Sequence, residues 1–117
     1  MKKSPENDPV RIRHMLDAAQ KIVKHTAGKS RVDLDTDEVL ALAVVRLIEI
    51  VGEAATQVTD ETRAQYPQIQ WQDIADMRHR VIHGYFNIEL DIVWNTVVGN
   101  IPPLIVALEA ILRPPAS

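Results

Sequence analysis

Cysteine is absent from the sequence, which excludes disulfide bonds, zinc ribbons, thiol nucleophiles and iron–sulfur clusters. Aromatic residues make up only 4% of the chain, whereas apolar residues make up 46%. The core must therefore be aliphatic, and this composition favours helices packed on helices over a β-sandwich. With 117 residues, the chain has the length of one domain with a core of its own.

A long uninterrupted apolar run is also missing, and we expect no membrane-spanning segment because such a segment needs about 18 or more apolar residues. The N-terminal stretch MKKSPEND begins with basic residues but lacks the apolar region of a secretory signal peptide. These two absences predict a cytoplasmic protein with no membrane partner.

The charge of the chain is small overall but unevenly distributed, with a formal net charge of −3. Residues 1–31 carry eight basic and three acidic residues, whereas residues 32–117 carry five basic and thirteen acidic residues. An acidic balance is unfavourable for nonspecific nucleic-acid binding, and we expect no DNA partner. Any anion site must be a local cluster, and the basic N-terminal third is most simply a solvated helix face.

Helical periodicity runs through the first half of the chain. A first helix is predicted from Asp8, a capping residue followed by proline, to about Gly28. A second helix is predicted to open at Asp35, with Glu38 three residues later as in a capping box, and to continue to Val58.

The second half of the chain has the same periodicity. A short helical turn is predicted before Pro67, and a third long helix is predicted over residues 71–82 with Gly84 as its stop. Asn87 is predicted to cap a fourth helix. Two consecutive prolines inside that helix remove backbone donors and predict a kink or restart near residues 99–100.

These patterns predict an all-α fold, an up-and-down bundle of four to five helices that dimerises. Residues 1–8 are predicted to be a flexible N-terminus, residues 9–113 a single helical domain, and residues 114–117 a tail. The second helix carries an additional apolar set beside its main stripe: Val39, Leu42 and Ile50. So much apolar surface on one helix indicates two burial partners, its own bundle and a second copy of the chain.

The residues that could carry chemistry are concentrated in one segment, RHRVIHGY at residues 78–85. Arg78 falls on the predicted apolar stripe of the third helix. A guanidinium on a half-buried stripe must be paired or must face an anion. The pairing alternative is a structural salt bridge to the second helix, with Glu53 as the first choice of partner and Glu49 as the second.

His83 follows Arg78 by five residues, so on an ideal helix the two side chains diverge by about 140°. They converge only if the helix ends near His83 or if a second subunit completes the site. A histidine near a helix C-terminus is favoured in its protonated form. Beside an arginine that holds a phosphate, it can move protons in phosphodiester cleavage, although a cap or a surface histidine is the simpler alternative.

Metal binding by this segment is not expected. His79 and His83 are four residues apart and could share a metal ion. However, no glutamate follows His79 as in metalloproteases, and no third ligand is evident. We therefore expect neither a metal nor another cofactor.

Arg78, His83 and Tyr85 together fit the motif R-x4-H-x-Y of the HepT-like branch of the HEPN superfamily. Four stretches resemble the surroundings of that motif: RLIEIVGEA (46–54), WQDIADM (71–77), VIHGYF (81–86) and LDIVW (90–94). The resemblance to this family extends over residues 10–112, nearly the whole chain.

The resemblance implies a helical bundle that dimerises with both motif copies lining one cleft. It also implies a metal-independent endoribonuclease toxin with RNA as its substrate. Arg78 would hold the scissile phosphate, and His83 would act as general base or acid while the ribose 2′-hydroxyl attacks. Supporting roles are expected for four neighbours: Glu53, Glu49, Arg80 and His79.

Regulation by a partner is a further implication of the resemblance. In this branch the motif tyrosine, here Tyr85, receives AMP from an antitoxin that is a minimal nucleotidyltransferase, as in type VII toxin–antitoxin pairs. The added group would block RNA from the cleft by charge and bulk. The alternative function is a non-catalytic subunit that binds nucleotide or substrate for a minimal nucleotidyltransferase. Oligomers above the dimer are left open.

Overall fold

The structure is a computed structural model that describes residues 3–83 and 87–113, without the side chain of His83. The described part is almost entirely helical, so the predicted all-α class is confirmed. A short 3-10 turn precedes the first helix at Pro5–Asn7. The remaining elements follow in chain order: α1 Asp8–Thr26, α2 Arg31–Thr36, α3 Glu38–Thr56, α4 Asp60–Gln65, α5 Trp71–Val81, β1 Ile82–His83, β2 Asn87–Ile88, α6 Leu90–Asn95, a π-helical turn Thr96–Asn100 and α7 Ile101–Leu112.

Four long helical runs form the bundle, and α2 and α4 are short additions to it. Helix α1 packs against both α3 and α7, and α3 packs against α5 on its other side. The shared core is aliphatic apart from Trp71 and methionine, as the composition predicts. Its largest fully buried side chains are Met15, Ile22, Leu34, Ile48, Met77, Ile101 and Leu108.

The predicted interruption of the last helix is confirmed. The backbone winds into the π-helical turn Thr96–Asn100 and restarts as α7, whose first turn contains proline. Proline has no N–H to donate and excludes a normal α-helical bond at this point, which explains the local change of winding.

Two predicted helix starts are wrong. Asp35 does not cap the second long helix but lies inside α2, and α3 starts at Glu38 after Asp37, whose carboxylate accepts a hydrogen bond from the Leu40 N–H. Sequence spacing allowed either aspartate to cap, and α2 occupies the first of them. Asn87 is likewise not a cap, because it belongs to β2 and α6 starts at Leu90.

A small β-hairpin, with strands of two residues each, follows α5. The sequence has no alternating pattern there. Ile82 pairs with Ile88 and His83 pairs with Asn87 in antiparallel register. The N–H of Glu89 also donates to the carbonyl of Val81 at 2.8 Å. Helix α5 therefore ends at Val81, one residue earlier than predicted. The predicted stop at Gly84 lies outside the described residues.

Helices α3 and α5 approach each other closely at Gly52. A Cβ built on Gly52 would lie 3.1 Å from the carbonyl oxygen of Ile74 and 3.3 Å from that of Ala75. One turn away, Glu49 faces Arg78. Residue numbers fall along α3 as they rise along α5, so the two helices are antiparallel and Gly52 fixes their register.

The helical segment Leu90–Leu112 is long and apolar enough to cross a membrane by length and composition alone, with 28% of its most apolar window buried. It also supplies core residues at helical spacing, among them Val93, Val97 and Ile101. A core helix of a water-soluble bundle passes the same test, so the segment gives little support for a membrane span. Its outer side exposes Val98 and Val106.

Asp8 ties the start of α1 to the start of α4. Its buried carboxylate accepts hydrogen bonds from the N–H and hydroxyl of Thr59, at 3.1 and 2.6 Å, and from the Thr62 hydroxyl. Burial alone raises the pKa of Asp8. The hydrogen bonds from Thr59 and Thr62 outweigh burial and hold the pKa below its ordinary value of 3.8.

Replacing Gly52 with alanine should destabilise the fold, because the new methyl group meets two backbone carbonyls that cannot rotate away. We expect the free energy of unfolding, measured with urea, to fall by about 1–3 kcal/mol. Gly99→Ala is the matched control, since nothing lies within 4 Å of its added Cβ. That variant should be unchanged or more stable by up to about 1 kcal/mol. Equal effects of the two substitutions would contradict the close approach.

Asp8→Asn should lower the free energy of unfolding at pH 7 by about 1–3 kcal/mol, because a charged acceptor of buried hydrogen bonds is lost. The folded-state pKa is lowered, so the stabilisation is present above the unfolded-state pKa and disappears as the pH falls through the folded-state value. The difference in unfolding free energy between the wild type and Asp8→Asn, measured with urea from pH 7 to pH 2, should therefore disappear at low pH. A constant difference, or an equal effect of the exposed Asp17→Asn, would count against this assignment.

Candidate active site

Arg78 lies in the last turn of α5 at the margin of the core. Its side chain is 48% exposed, so the inward stripe on which it was predicted to lie does not bury it. The buried stripe instead continues from Trp71 and Ile74 through Met77 to Val81. By helical angle Arg78 lies about 100° from Met77 but only about 20° from Trp71 and about 40° from Ile74, so it shares their side of α5, and its long side chain reaches solvent at the end of the helix. Its guanidinium is available to solvent on this side of the bundle.

Glu49 of α3 is the acidic neighbour of Arg78, with 3.9 Å between Arg78 Nε and Glu49 Oε2. We expected Glu53 first, but Glu53 is exposed one turn further along α3, and no cation of the described residues lies within 4.0 Å of it. The register set by Gly52 explains the difference, since it brings Glu49 level with Arg78. Spacing along one helix could not distinguish the two glutamates.

The contact between Arg78 and Glu49 is loose. Pairs that are this exposed contribute only about 0–1 kcal/mol to stability. Within the described part of the chain, the guanidinium of Arg78 makes no hydrogen bond, so its donors are not used up by the fold. Glu49 can orient the arginine while leaving it free to meet an anion. A purely structural salt bridge is the weaker interpretation of this geometry.

His83 is not part of α5, because the helix ends two residues before it. The divergence of about 140° expected on a continuous helix therefore does not apply, and the predicted end of the helix near His83 is confirmed, whereas convergence of the two side chains stays a prediction. Its backbone lies in β1, paired with Asn87. The His83 side chain and the whole of Tyr85 lie outside the description, so their predicted roles stay predictions.

Arg80 and His79 occupy other sides of α5. Arg80 lies about 200° around the helix from Arg78. Its guanidinium donates to the carbonyl of Asp73 at 2.6 Å and borders a groove of about 220 Å³ between α5 and α7. His79 is exposed. The structure therefore places Arg80 away from the pair of Arg78 and Glu49.

Metal coordination has no evident site in residues 3–83 and 87–113, where no three His, Asp or Glu side chains gather closely enough to hold an ion. The described chemistry near the motif is instead that of a guanidinium beside a carboxylate at the end of a helix.

Arg31 secures the base of the hairpin and was missed by the sequence analysis. Its Nε donates to Asp91 Oδ1 at 2.7 Å, and its Nη1 lies 3.1 Å from Asp35 Oδ2. These bonds raise the pKa of the Arg31 guanidinium, Asp91 contributing most. They join α2 to the first turn of α6, which directly follows β2. Partners 60 residues apart leave no spacing signal in the sequence.

Comparison with known proteins assigns the sequence to a family. The family model described as "Ribonuclease HepT-like" matches residues 15–111, which include the whole motif. A protein of Caldanaerobacter subterraneus subsp. tengcongensis named "Putative RNase TTE0752" is 34% identical over 102 residues, covering 87% of this chain and 91% of that protein. No solved structure matches the chain.

Two archaeal relatives carry similar names. "Probable ribonuclease HepT" of Thermococcus cleftensis is 36% identical over 72 residues, covering 62% of this chain and 66% of that protein. "Gamma-glutamylcyclotransferase and putative RNase MJ0434" of Methanocaldococcus jannaschii is 37% identical over 93 residues, 80% of this chain but 42% of that longer protein. The family and these names support a ribonuclease role with RNA as substrate. The chain belongs to the HepT-like ribonuclease family of the HEPN superfamily.

Proposed function

We propose that the chain is a metal-independent endoribonuclease toxin of a HEPN–nucleotidyltransferase toxin–antitoxin pair. The observation that carries this proposal is the state of Arg78, which is half-exposed, loosely paired and located three residues before the end of its helix. An arginine held in this way can bind a phosphate without breaking a buried ion pair.

Arg78 supplies charge in this proposal. Its planar guanidinium can donate two parallel hydrogen bonds to a phosphodiester and stabilise the extra negative charge of the transition state. Glu49, at 3.9 Å from Nε, limits the rotation of the guanidinium. Because arginine stays charged across the physiological pH range, this role needs neither a metal ion nor a proton transfer.

His83 moves the protons. As general base, its imidazole takes the proton of the ribose 2′-hydroxyl while O2′ forms a bond to phosphorus. The bond from phosphorus to O5′ breaks, and an imidazolium protonates the departing O5′. The products are a 2′,3′-cyclic phosphate and a 5′-hydroxyl. One histidine can perform both transfers in turn, or the histidines of two motif copies can share them.

The active form in this proposal is a homodimer that joins two motifs. Leu42 and Val39 are 51% and 77% exposed on the outer side of α3. Such exposure is unusual for large apolar side chains on a helix that also contributes to the core. Leu42 and Glu49 are seven residues apart and therefore share one side of α3. A dimer that buries the apolar end of this side would bring both Arg78–Glu49 pairs towards the same cleft.

Tyr85 is the regulatory residue in this proposal. An antitoxin nucleotidyltransferase transfers AMP from ATP to the tyrosine hydroxyl, forming a phosphodiester at the tyrosine and releasing pyrophosphate. The attached AMP carries negative charge to a position seven residues after Arg78 and competes with RNA for the guanidinium. The toxin would then be silent until unmodified protein accumulates.

His83→Ala should abolish cleavage of RNA in the presence of EDTA, with a rate loss of at least about 100-fold, the usual contribution of a general acid–base. His14→Ala is the matched control, since His14 is exposed on α1 and its removal should leave the rate at saturating RNA unchanged. The same preparations should have the mass of two chains in light scattering and unaltered thermal unfolding. Co-expression with the antitoxin should add one AMP to Tyr85 and remove cleavage.

Three results would overturn this function. Absence of cleavage by the unmodified wild-type dimer would favour the non-catalytic partner subunit of a nucleotidyltransferase. Unfolding of His83→Ala would make the histidine structural, in which case His83→Gln, which keeps most of the volume, distinguishes the two roles. A monomer that cleaves RNA at the full rate would show that cleavage does not need a cleft shared by two subunits.

A further inference from the structure

The basic residues of the chain are concentrated in its N-terminal third, and three of them lie together on an exposed face of α1 that the proposed active site does not use. We propose that the solvent face of α1 binds the RNA backbone outside the scissile phosphate, an inference that rests on the proposed ribonuclease function. Residues 1–31 carry a net charge of +5, whereas residues 32–117 carry −8. The N-terminal third is therefore the part of the chain whose net charge attracts RNA, whereas the net charge of the remainder repels it.

Three cations of α1 form a row, here called the basic strip: Arg13, Lys21 and Lys24. All three are exposed. At 100° per residue they lie within an arc of about 80°, and they extend over about 16 Å along the helix axis. Lys29 is a further exposed cation just after the end of the helix. A row of cations on a rigid helix can follow successive phosphates of one strand.

The strip is not neutralised by the fold. None of its three cations has a carboxylate of the described residues within 4.0 Å, in contrast to Arg31 and Arg78. Asp17 is the one acid that lies within the same arc of α1. Structural ion pairs therefore do not account for this charge, and its cations are free to bind phosphate.

The strip extends to the end of the bundle that carries the motif. Asp8 bonds to Thr59, so α1 starts at the C-terminal end of α3 and runs antiparallel to it. Counting along both helices at equal rise places Lys21 level with Arg46, one turn from the Arg78–Glu49 pair. Independently, Arg31 joins the chain just after α1 to Asp91, just after the hairpin. The strip is therefore level with the motif along the bundle axis, and a strand that contacts both must cross α3, which lies between α1 and α5.

Nucleic acid fits the strip better than an acidic protein surface does. Lysines on flexible stems suit a backbone of regularly spaced phosphates, and the strip contains no aromatic side chain for reading bases. Binding through it should therefore be insensitive to sequence and strongly dependent on salt.

The test is binding of a 2′-O-methyl oligoribonucleotide, which cannot undergo attack by the 2′-hydroxyl, to the full chain from 0.05 to 0.5 M salt. Each phosphate contact on a single strand contributes about 0.7 to the slope of log affinity against log salt. The triple variant Arg13→Gln/Lys21→Gln/Lys24→Gln should lose about 2 from that slope. It should bind on the order of 100-fold more weakly at 0.1 M salt.

A matched pair of acid replacements distinguishes the strip from net charge. Asp17→Asn removes the acid inside the strip and should tighten binding several-fold. Glu61→Gln changes the net charge equally but lies on α4, next to Thr59 and the start of α1, and should not tighten binding to the same extent. Both acids are exposed, so neither replacement should alter thermal unfolding.

The outcomes separate this inference from the proposed function. Wild-type affinity and salt slope in the triple variant, or no binding by the wild-type chain, would overturn the strip as an RNA surface even if RNA is cleaved. Equal tightening by Asp17→Asn and Glu61→Gln would also overturn it. Binding that depends on the strip without any cleavage of ordinary RNA would support it while rejecting the nuclease.

Discussion

The close approach of α3 and α5 at Gly52 is the constraint on which the rest of the site depends. A hydrogen atom in place of a side chain lets the carbonyls of Ile74 and Ala75 lie against α3. The contact fixes an antiparallel register, and this register brings Glu49 beside Arg78. Had the helices been held apart by a methyl group, both the distance and the level of that pair would change. The position of Glu49 beside Arg78 thus depends on the absence of a side chain at residue 52.

The second determinant is the point at which α5 ends. Pairing of Ile82 with Ile88 stops the helix at Val81, so Arg78 stays on a rigid turn while His83 joins a hairpin. The base of that hairpin is secured by Arg31, which binds the first turn of α6. An arginine on a helix and a histidine on a separate element can approach one phosphate from different directions, which one straight helix does not allow.

Much of this architecture could be predicted from the sequence because it follows from local signals. Apolar periodicity gave the four long helices, and consecutive prolines gave the restart after residue 100. The predictions failed where two nearby residues were equally suited to one role, or where contacts between residues distant in sequence determine the structure. Either Asp35 or Asp37 could cap α3, and either Glu53 or Glu49 could face Arg78 until the register was known. The bond of Arg31 to Asp91 is wholly tertiary and has no signature in sequence.

The central claim is that an arginine and a histidine, without a metal ion, cleave RNA by attack of the neighbouring 2′-hydroxyl. The most direct test is the chemistry of the RNA ends, determined by mass spectrometry of oligoribonucleotide products formed in the presence of EDTA. The account predicts 2′,3′-cyclic phosphate and 5′-hydroxyl ends at an undiminished rate. Ends with 3′-hydroxyl and 5′-phosphate, or loss of cleavage on chelation, would contradict it, because water or a metal-bound hydroxide would then be the nucleophile.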